Sequence, residues 1–294
     1  MKIVSLILVS GLLAAGCGRS SQSRSMIQNR GSDTMVNLAQ AWAEEYRTVE
    51  PSVAIAVTGG GSGTGIAALI NGTVDIANAS REIEPAEAEA ARKSTGKAPV
   101  EHLVAFDAIT IYVHKNNPIK SISKRDLACI YGEKGTCVRW TDLGVEVPGC
   151  AGQEIVRVGR QNNSGTYMYF REWVLGKGQD FRLGSRDMHG SKDVVDLVER
   201  TPCAIGYSGM AYKTVGVHAV CVSRDEGVEC VEPTTATTAA GQYPLSRGVY
   251  MYTLGEPTGA VARYLAWVQS DAAQEIATKL GFTPVPAEKR RRAP

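Results

Sequence analysis

Apolar residues in this chain follow two rhythms. Short runs rich in Val and Ile alternate with segments whose apolar residues recur every three or four positions. The runs at 26–30, 53–57, 75–79, 155–159, 204–207, 217–222 and 247–253 predict strands, and 103–114 predicts one long apolar, β-branched strand. Val36, Ala39, Trp42, Ala43 and Tyr46 fall on one face of a helix over 36–46. Further helices are predicted at 66–71, 85–93, 124–131, 165–175, 191–200, 259–269 and 272–280, the last closed by Gly281. The stretches 132–153 and 223–242 read as loops. No unit of roughly 20–50 residues repeats. Strand, turn and helix follow one another so regularly that the fold class is α/β, with mixed, mostly parallel sheets flanked by helices.

Composition excludes several classes without choosing a function. With 294 residues, 44% hydrophobic, 21% charged, 31 Gly and 12 Pro, the chain is an ordinary globular one, long enough for one large or two modest domains. A net charge of +2 and 6% aromatics argue against nucleic acid as a partner. No run approaches the roughly 18 apolar residues of a spanning helix.

The first segment is an address rather than part of the fold. Lys2 precedes a short apolar stretch from Ile3 to Ala15, and Leu13-Ala14-Ala15-Gly16-Cys17 resembles a bacterial lipobox, with Ala14 where Leu is usual. Residues 1–16 are therefore expected to be a lipoprotein signal peptide, with Cys17 as the lipidated mature N-terminus. Residues 17–25, polar and Ser-rich, form a flexible tether, and 289–294 a basic tail. Membrane association is expected through the lipid anchor only. Of the 7 cysteines, setting Cys17 aside leaves six: Cys129, Cys137, Cys150, Cys203, Cys221 and Cys230. In an exported chain they imply at least two structural disulfides, whose pairing the spacing does not choose. Zinc-type spacing is absent from the sequence, so no metal is expected.

The chemistry lies in turns that carry hydroxyls. Gly31-Ser32-Asp33-Thr34, Gly61-Ser62-Gly63-Thr64-Gly65 and Asn163-Ser164-Gly165-Thr166 each follow a predicted strand and open a helix, and Gly190-Ser191 is a weaker fourth. Such turns present free backbone N–H groups and a hydroxyl at a helix N-terminus, where the dipole favours an anion. In open α/β sheets they gather at the carboxyl ends of the strands. Arg160, four residues before Ser164, and Arg81, next to Ser80 at the end of the 75–79 strand, offer guanidinium charge to the same anion. The glycine-rich turn is no Walker A loop, and neither Gly60-x-Ser62-x-Thr64 nor Gly206-x-Ser208-x-Met210 completes a nucleophile elbow. No catalytic residue and no cofactor is expected.

GSDTM, GGGSGTG, DIANASR, GRQNNSGTY, AIGYSGMAY and YPLSR, in this order from residue 31 to 247, resemble the phosphate-binding proteins of bacterial phosphate ABC transporters, the PstS-like family. The resemblance implies a periplasmic-binding-protein fold of two lobes joined by two crossing strands. Lobe 1 would hold 26–108 and return at 216–288; lobe 2 would hold 109–215. It further implies a protein of the periplasm or outer cell-envelope surface, a monomer, that binds inorganic phosphate and serves ABC transporter permease subunits. The implied phosphate ligands are Ser32, Thr34, Ser62, Ser80, Arg81, Arg160, Ser164, Gly165 and Thr166. Two positions depart from the family's pattern. Arg81 stands where well-known members carry an Asp that accepts the phosphate proton, leaving Asp33 as the nearest carboxylate for that role. Asn162 stands where many carry an Asp that orients the Arg. Alternative readings are a binder of another oxyanion (sulfate, molybdate or an organic phosphate) and a lipid-anchored sensor or adhesin.

Overall fold

The computed structural model describes residues 25–290. The expected signal peptide, Cys17, nearly all of the tether and the last four residues lie outside the described residues.

The chain begins with β1 (Ser25–Gly31), α1 (Val36–Val49), β2 (Val53–Thr58), α2 (Ser62–Ile70), β3 (Ile76–Ala79) and α3 (Pro85–Thr95). β1 runs parallel to both β2 and β3, so their carboxyl ends point the same way. Local chemistry sets the boundaries: α3 opens with Pro85 in its first turn and a Glu84/Glu87 capping box, and stops at Gly96 with φ 72°. α2 begins at Ser62, four residues before the expected start, because the glycine-rich stretch is its first turn. Gly65 is required there, since a Cβ would lie 2.5 Å from Arg30 O.

β4 (Pro99–His114) then leaves lobe 1. Its first part, up to Ala108, pairs with β10 (Ser246–Leu254); from Ile109 it pairs with β8 (Ala204–Gly209), and from Ile111 also with β9 (Val217–Ser223). The pairing partner thus changes from β10 to β8 between Ala108 and Ile109. Lobe 2 is completed by β5 (Ser121–Ser123), α4 (Lys124–Tyr131), β6 (Val156–Arg160), α5 (Gly165–Leu175), β7 (Arg186–Met188), α6 (Ser191–Glu199) and the short α7 (Thr235–Ala239). β5 and β7 are three residues each, and no strand is predicted for them. α7 lies in a stretch read as loop.

The expected return at 216 falls too early. β9 pairs with the second half of β4 and with β5, and Tyr243 and Leu245 pack in the lobe 2 core. The chain crosses back at Leu245, whose carbonyl accepts from Ile109 N at 3.0 Å, and enters lobe 1 as β10. α8 (Gly259–Val268) and α9 (Asp271–Lys279) close that lobe. Every antiparallel strand pairing involves β4 or β10; the remaining strands pair in parallel.

Each lobe has its own core. Leu38, Trp42, Val104, Val249, Tyr264 and Phe282 pack in lobe 1, and Ile111, Leu127, Trp140, Phe170, Tyr207 and Tyr243 in lobe 2. Three disulfides, Cys129–Cys137, Cys150–Cys203 and Cys221–Cys230, all staple lobe 2; the middle one joins the two cysteine clusters of the sequence. Among the described residues no helix is long and apolar enough to cross a membrane.

Candidate functional site

Three strand ends of lobe 1 bring three serines into contact. β1 ends at Gly31 (φ 148°), where a Cβ would lie 2.1 Å from Asn78 O; only glycine lets this strand end approach β3 so closely. Ser32 Oγ then donates to Ser80 Oγ at 2.9 Å, and Ser80 N donates to Ser62 Oγ at 3.0 Å. From lobe 2, Ser164 caps α5 by accepting from Thr166 N at 3.1 Å. Gly165 packs the start of that helix onto the serines: a Cβ would lie 2.6 Å from Ser62 Oγ and 2.7 Å from Ser80 Oγ. Thr34 Oγ1 and Thr166 Oγ1, 3.0 Å apart, join the two lobes. All six hydroxyl residues are buried. The structure thus gathers Ser32, Thr34, Ser62, Ser80, Ser164, Gly165 and Thr166 in one place.

Arg160, fully buried at the end of β6, reaches this cluster through Ser191, whose Oγ lies 3.4 Å from Thr34 Oγ1. Its Nη1 donates to Ser191 Oγ (2.7 Å), and its Nη2 donates to Asp33 Oδ2 (3.1 Å) and to His189 O (2.8 Å). Burial pushes the guanidinium pKa down, and Asp33 pushes it back up. Asp33 Oδ1 meanwhile accepts from Gly60 N at 2.8 Å. Asp33, from the opposite lobe, therefore ties the Arg160 guanidinium to the glycine-rich turn. Asn163 adds a second bridge: its Nδ2 donates to Gly60 O (2.9 Å), and its carbonyl accepts from Gly63 N (3.0 Å). The inventory is one of donors: hydroxyls, helix N-termini and guanidinium groups converging on one small volume, the set that holds an oxyanion. Among the described residues no group of His, Cys, Asp and Glu is arranged to hold a metal ion.

Comparison with known proteins settles the family. The PBP superfamily domain matches residues 18–272. The phosphate-binding protein PstS of Pseudomonas aeruginosa is 34% identical, with 100% of this chain and 98% of that protein covered. PstS of Bacillus subtilis is 30% identical, with 97% and 94% covered. The chain belongs to the PstS family.

Among solved structures, a Clostridium perfringens protein assigned to phosphate ABC transport as a substrate-binding protein, with bound phosphate, superposes with a TM-score of 0.79. It is 28% identical, and 89% of this chain and 100% of that one are covered. The family is one of substrate-binding transport proteins of the extracytoplasmic space, not of enzymes.

In this PstS-like chain two residues of the cluster escaped the sequence reading. Arg247 is buried at the start of β10, directly across the ladder from Asp107. Its Nε and Nη2 donate to Asp107 Oδ2 at 3.1 and 2.7 Å, and its Nη1 donates to Ser80 O at 2.9 Å. Nη2 also donates to Thr166 Oγ1 at 2.9 Å. Arg247 closes the YPLSR motif but sits on a strand, outside any glycine turn. The available signal was Asp107, a lone charge inside a long apolar strand, which requires a buried partner.

Arg81 does not join the hydroxyls of the PstS-like cluster. Its guanidinium grips Glu87 with two bonds of 2.8 and 2.7 Å and donates to Glu82 O. Burial pushes its pKa down, but the bond and charge of Glu87 more than offset this and leave it raised. The carboxylate at the start of α3 thus holds Arg81 at the rim.

Proposed function

We propose that this chain captures inorganic phosphate between its lobes and delivers it to the permease subunits of an ABC transporter. The observation that carries the reading is the buried convergence of hydroxyls from both lobes with Arg160 and Arg247. Ser32, Thr34, Ser62 and Ser80 on one side, and Ser164, Gly165 and Thr166 on the other, would donate to the phosphate oxygens, while the two guanidinium groups supply charge. Asp33 orients Arg160 and Asp107 orients Arg247; Arg81 stays at the rim. The cross-lobe bonds Thr34–Thr166, Asp33–Arg160 and Asn163–Gly60 belong to a closed state, the form a permease would recognise. Cys17 would anchor a monomer to the outer side of a membrane. The phosphate-binding relatives and the phosphate-bound structural neighbour support the ligand.

The test is calorimetric titration of the mature chain, stripped of anion, with phosphate, sulfate and molybdate at two pH values. Tight phosphate binding with the other two weaker by orders of magnitude is expected. Equal binding of sulfate would favour the second reading, a binder of another oxyanion, to which Arg81 in place of the family's carboxylate points.

A further inference from the structure

The fourth glycine turn, Gly190-Ser191, has no part in the function proposed above, yet Ser191 is 1% exposed and lies against Arg160. α6 starts at Ser191. The N–H groups in the first turn of a helix have no partner within it. Gly190, the N-cap, has no side chain to satisfy them. The carboxylates at this place are already committed. Asp193 Oδ2 accepts from Gly190 N at 2.9 Å, and Asp33 accepts from Arg160 Nη2 and Gly60 N. Ser208 Oγ donates to Ser191 O at 2.9 Å and so ties the turn to β8. A buried guanidinium beside the positive end of a helix favours an anion there.

The bonds of Ser191 set the direction of its hydroxyl. Arg160 Nη1 donates to Ser191 Oγ at 2.7 Å, so the oxygen accepts on that side and the proton turns elsewhere. The other side-chain oxygen near it among the described residues is Thr34 Oγ1, at 3.4 Å, a long contact for two hydroxyls. Thr34 Oγ1 in turn lies 3.0 Å from Thr166 Oγ1, and Arg247 Nη2 donates to Thr166 Oγ1 at 2.9 Å. Thr34, Thr166 and Ser191 bring three hydroxyl protons to this buried place. The close Thr34–Thr166 pair takes one of them, and the long Thr34–Ser191 contact takes at most one more. At least one proton is left without an acceptor, which is costly in a buried site. An oxyanion bound here would accept it.

We propose that Ser191 is a further ligand of the captured anion: its proton goes to a deprotonated anion oxygen while its own oxygen holds Arg160. The inference rests on the phosphate-capture reading and adds the start of α6 to the three helix starts used there. It also gives Arg160 a holder that does not depend on closure. Ser191 Oγ and His189 O both belong to lobe 2, as Arg160 does, so their grip on the guanidinium outlasts the parting of the lobes, when Asp33 moves away.

The experiment is calorimetric titration of the mature, anion-stripped chain with inorganic phosphate, for the wild type, Ser191→Ala, Arg160→Ala and the double variant. Ser191→Ala should weaken binding about tenfold, as expected for one hydrogen bond to a charged group. Ala suits a helix start, so this variant should keep the fold, read from its circular dichroism. In the Arg160→Ala background the same substitution should still cost about threefold or more, because a ligand donates to the anion whether or not Arg160 is there. A residue that only held Arg160 would cost nothing in that background. If the wild type binds phosphate and Ser191→Ala stays within about twofold of it, the assignment of Ser191 is overturned and phosphate capture stands. A loss that vanishes in the Arg160→Ala background has the same meaning. A wild type that binds no phosphate overturns the capture reading and the ligand role together.

Discussion

Arg160 and Arg247 are both buried, both tied to an aspartate and both bonded to hydroxyls, Arg160 to Ser191 and Arg247 to Thr166, yet they are held in opposite ways. The Asp33 that holds Arg160 belongs to the other lobe, so the pair exists only while the lobes are together. The Asp107 that holds Arg247 is its direct cross-strand neighbour inside lobe 1, with side chains 0% and 1% exposed. One ion pair is part of closing; the other is part of the lobe and stands ready before any ligand arrives. Under the proposed function, such a cleft would have one charge preorganised for the first encounter and one whose full bonding is completed at capture.

The contrast can be broken most severely at the permanent pair. Arg247→Ala leaves Asp107 buried without its partner and should lower the stability of the anion-free protein by about 3–5 kcal/mol, read by denaturant unfolding. A loss below about 1 kcal/mol would mean that the pair holds nothing together. Arg160→Ala should do the reverse. Phosphate affinity falls at least about tenfold, about 1.4 kcal/mol, in a calorimetric titration. The anion-free stability stays close to that of the wild type, because Asp33 regains water when the lobes part. Asp33→Asn should cost less, about three- to tenfold in affinity, and should be strongly non-additive with Arg160→Ala in a double-mutant cycle; additive losses would separate the two residues. The smallest effect is at the rim: Arg81→Gln should change phosphate affinity by less than about twofold, and a tenfold loss would return Arg81 to the ligand's shell.

The elements with local punctuation were the legible ones. α5 begins and ends where Ser164 and Gly176 place it, and the hydroxyls of the three glycine turns meet as their shared make-up suggested. Other features depend on pairing partners far away in the chain. β5 and β7 are too short to show a period, and β9 joins lobe 2 only because its edge finds β4 and β5. Arg247 lies 140 residues from Asp107, and its neighbours in the chain say nothing of that carboxylate. The rim position of Arg81 was hidden for a different reason. The carboxylate that captures it is six residues on, in the first turn of α3, and nothing in that acidic stretch marks Glu87 out from its neighbours as a partner.

The insertion of β10 between β3 and β4 sets an order of assembly. Lobe 2 is a single uninterrupted stretch of chain, with both cysteines of each of its three disulfides inside it. Lobe 1 is split, and its sheet stays in two unjoined pieces until residues 246–254, near the end of the chain, take their place. A chain emerging amino-end first can therefore finish and oxidise its middle while its beginning still waits. The carboxylate of Asp107 stays without its guanidinium until the last strand arrives.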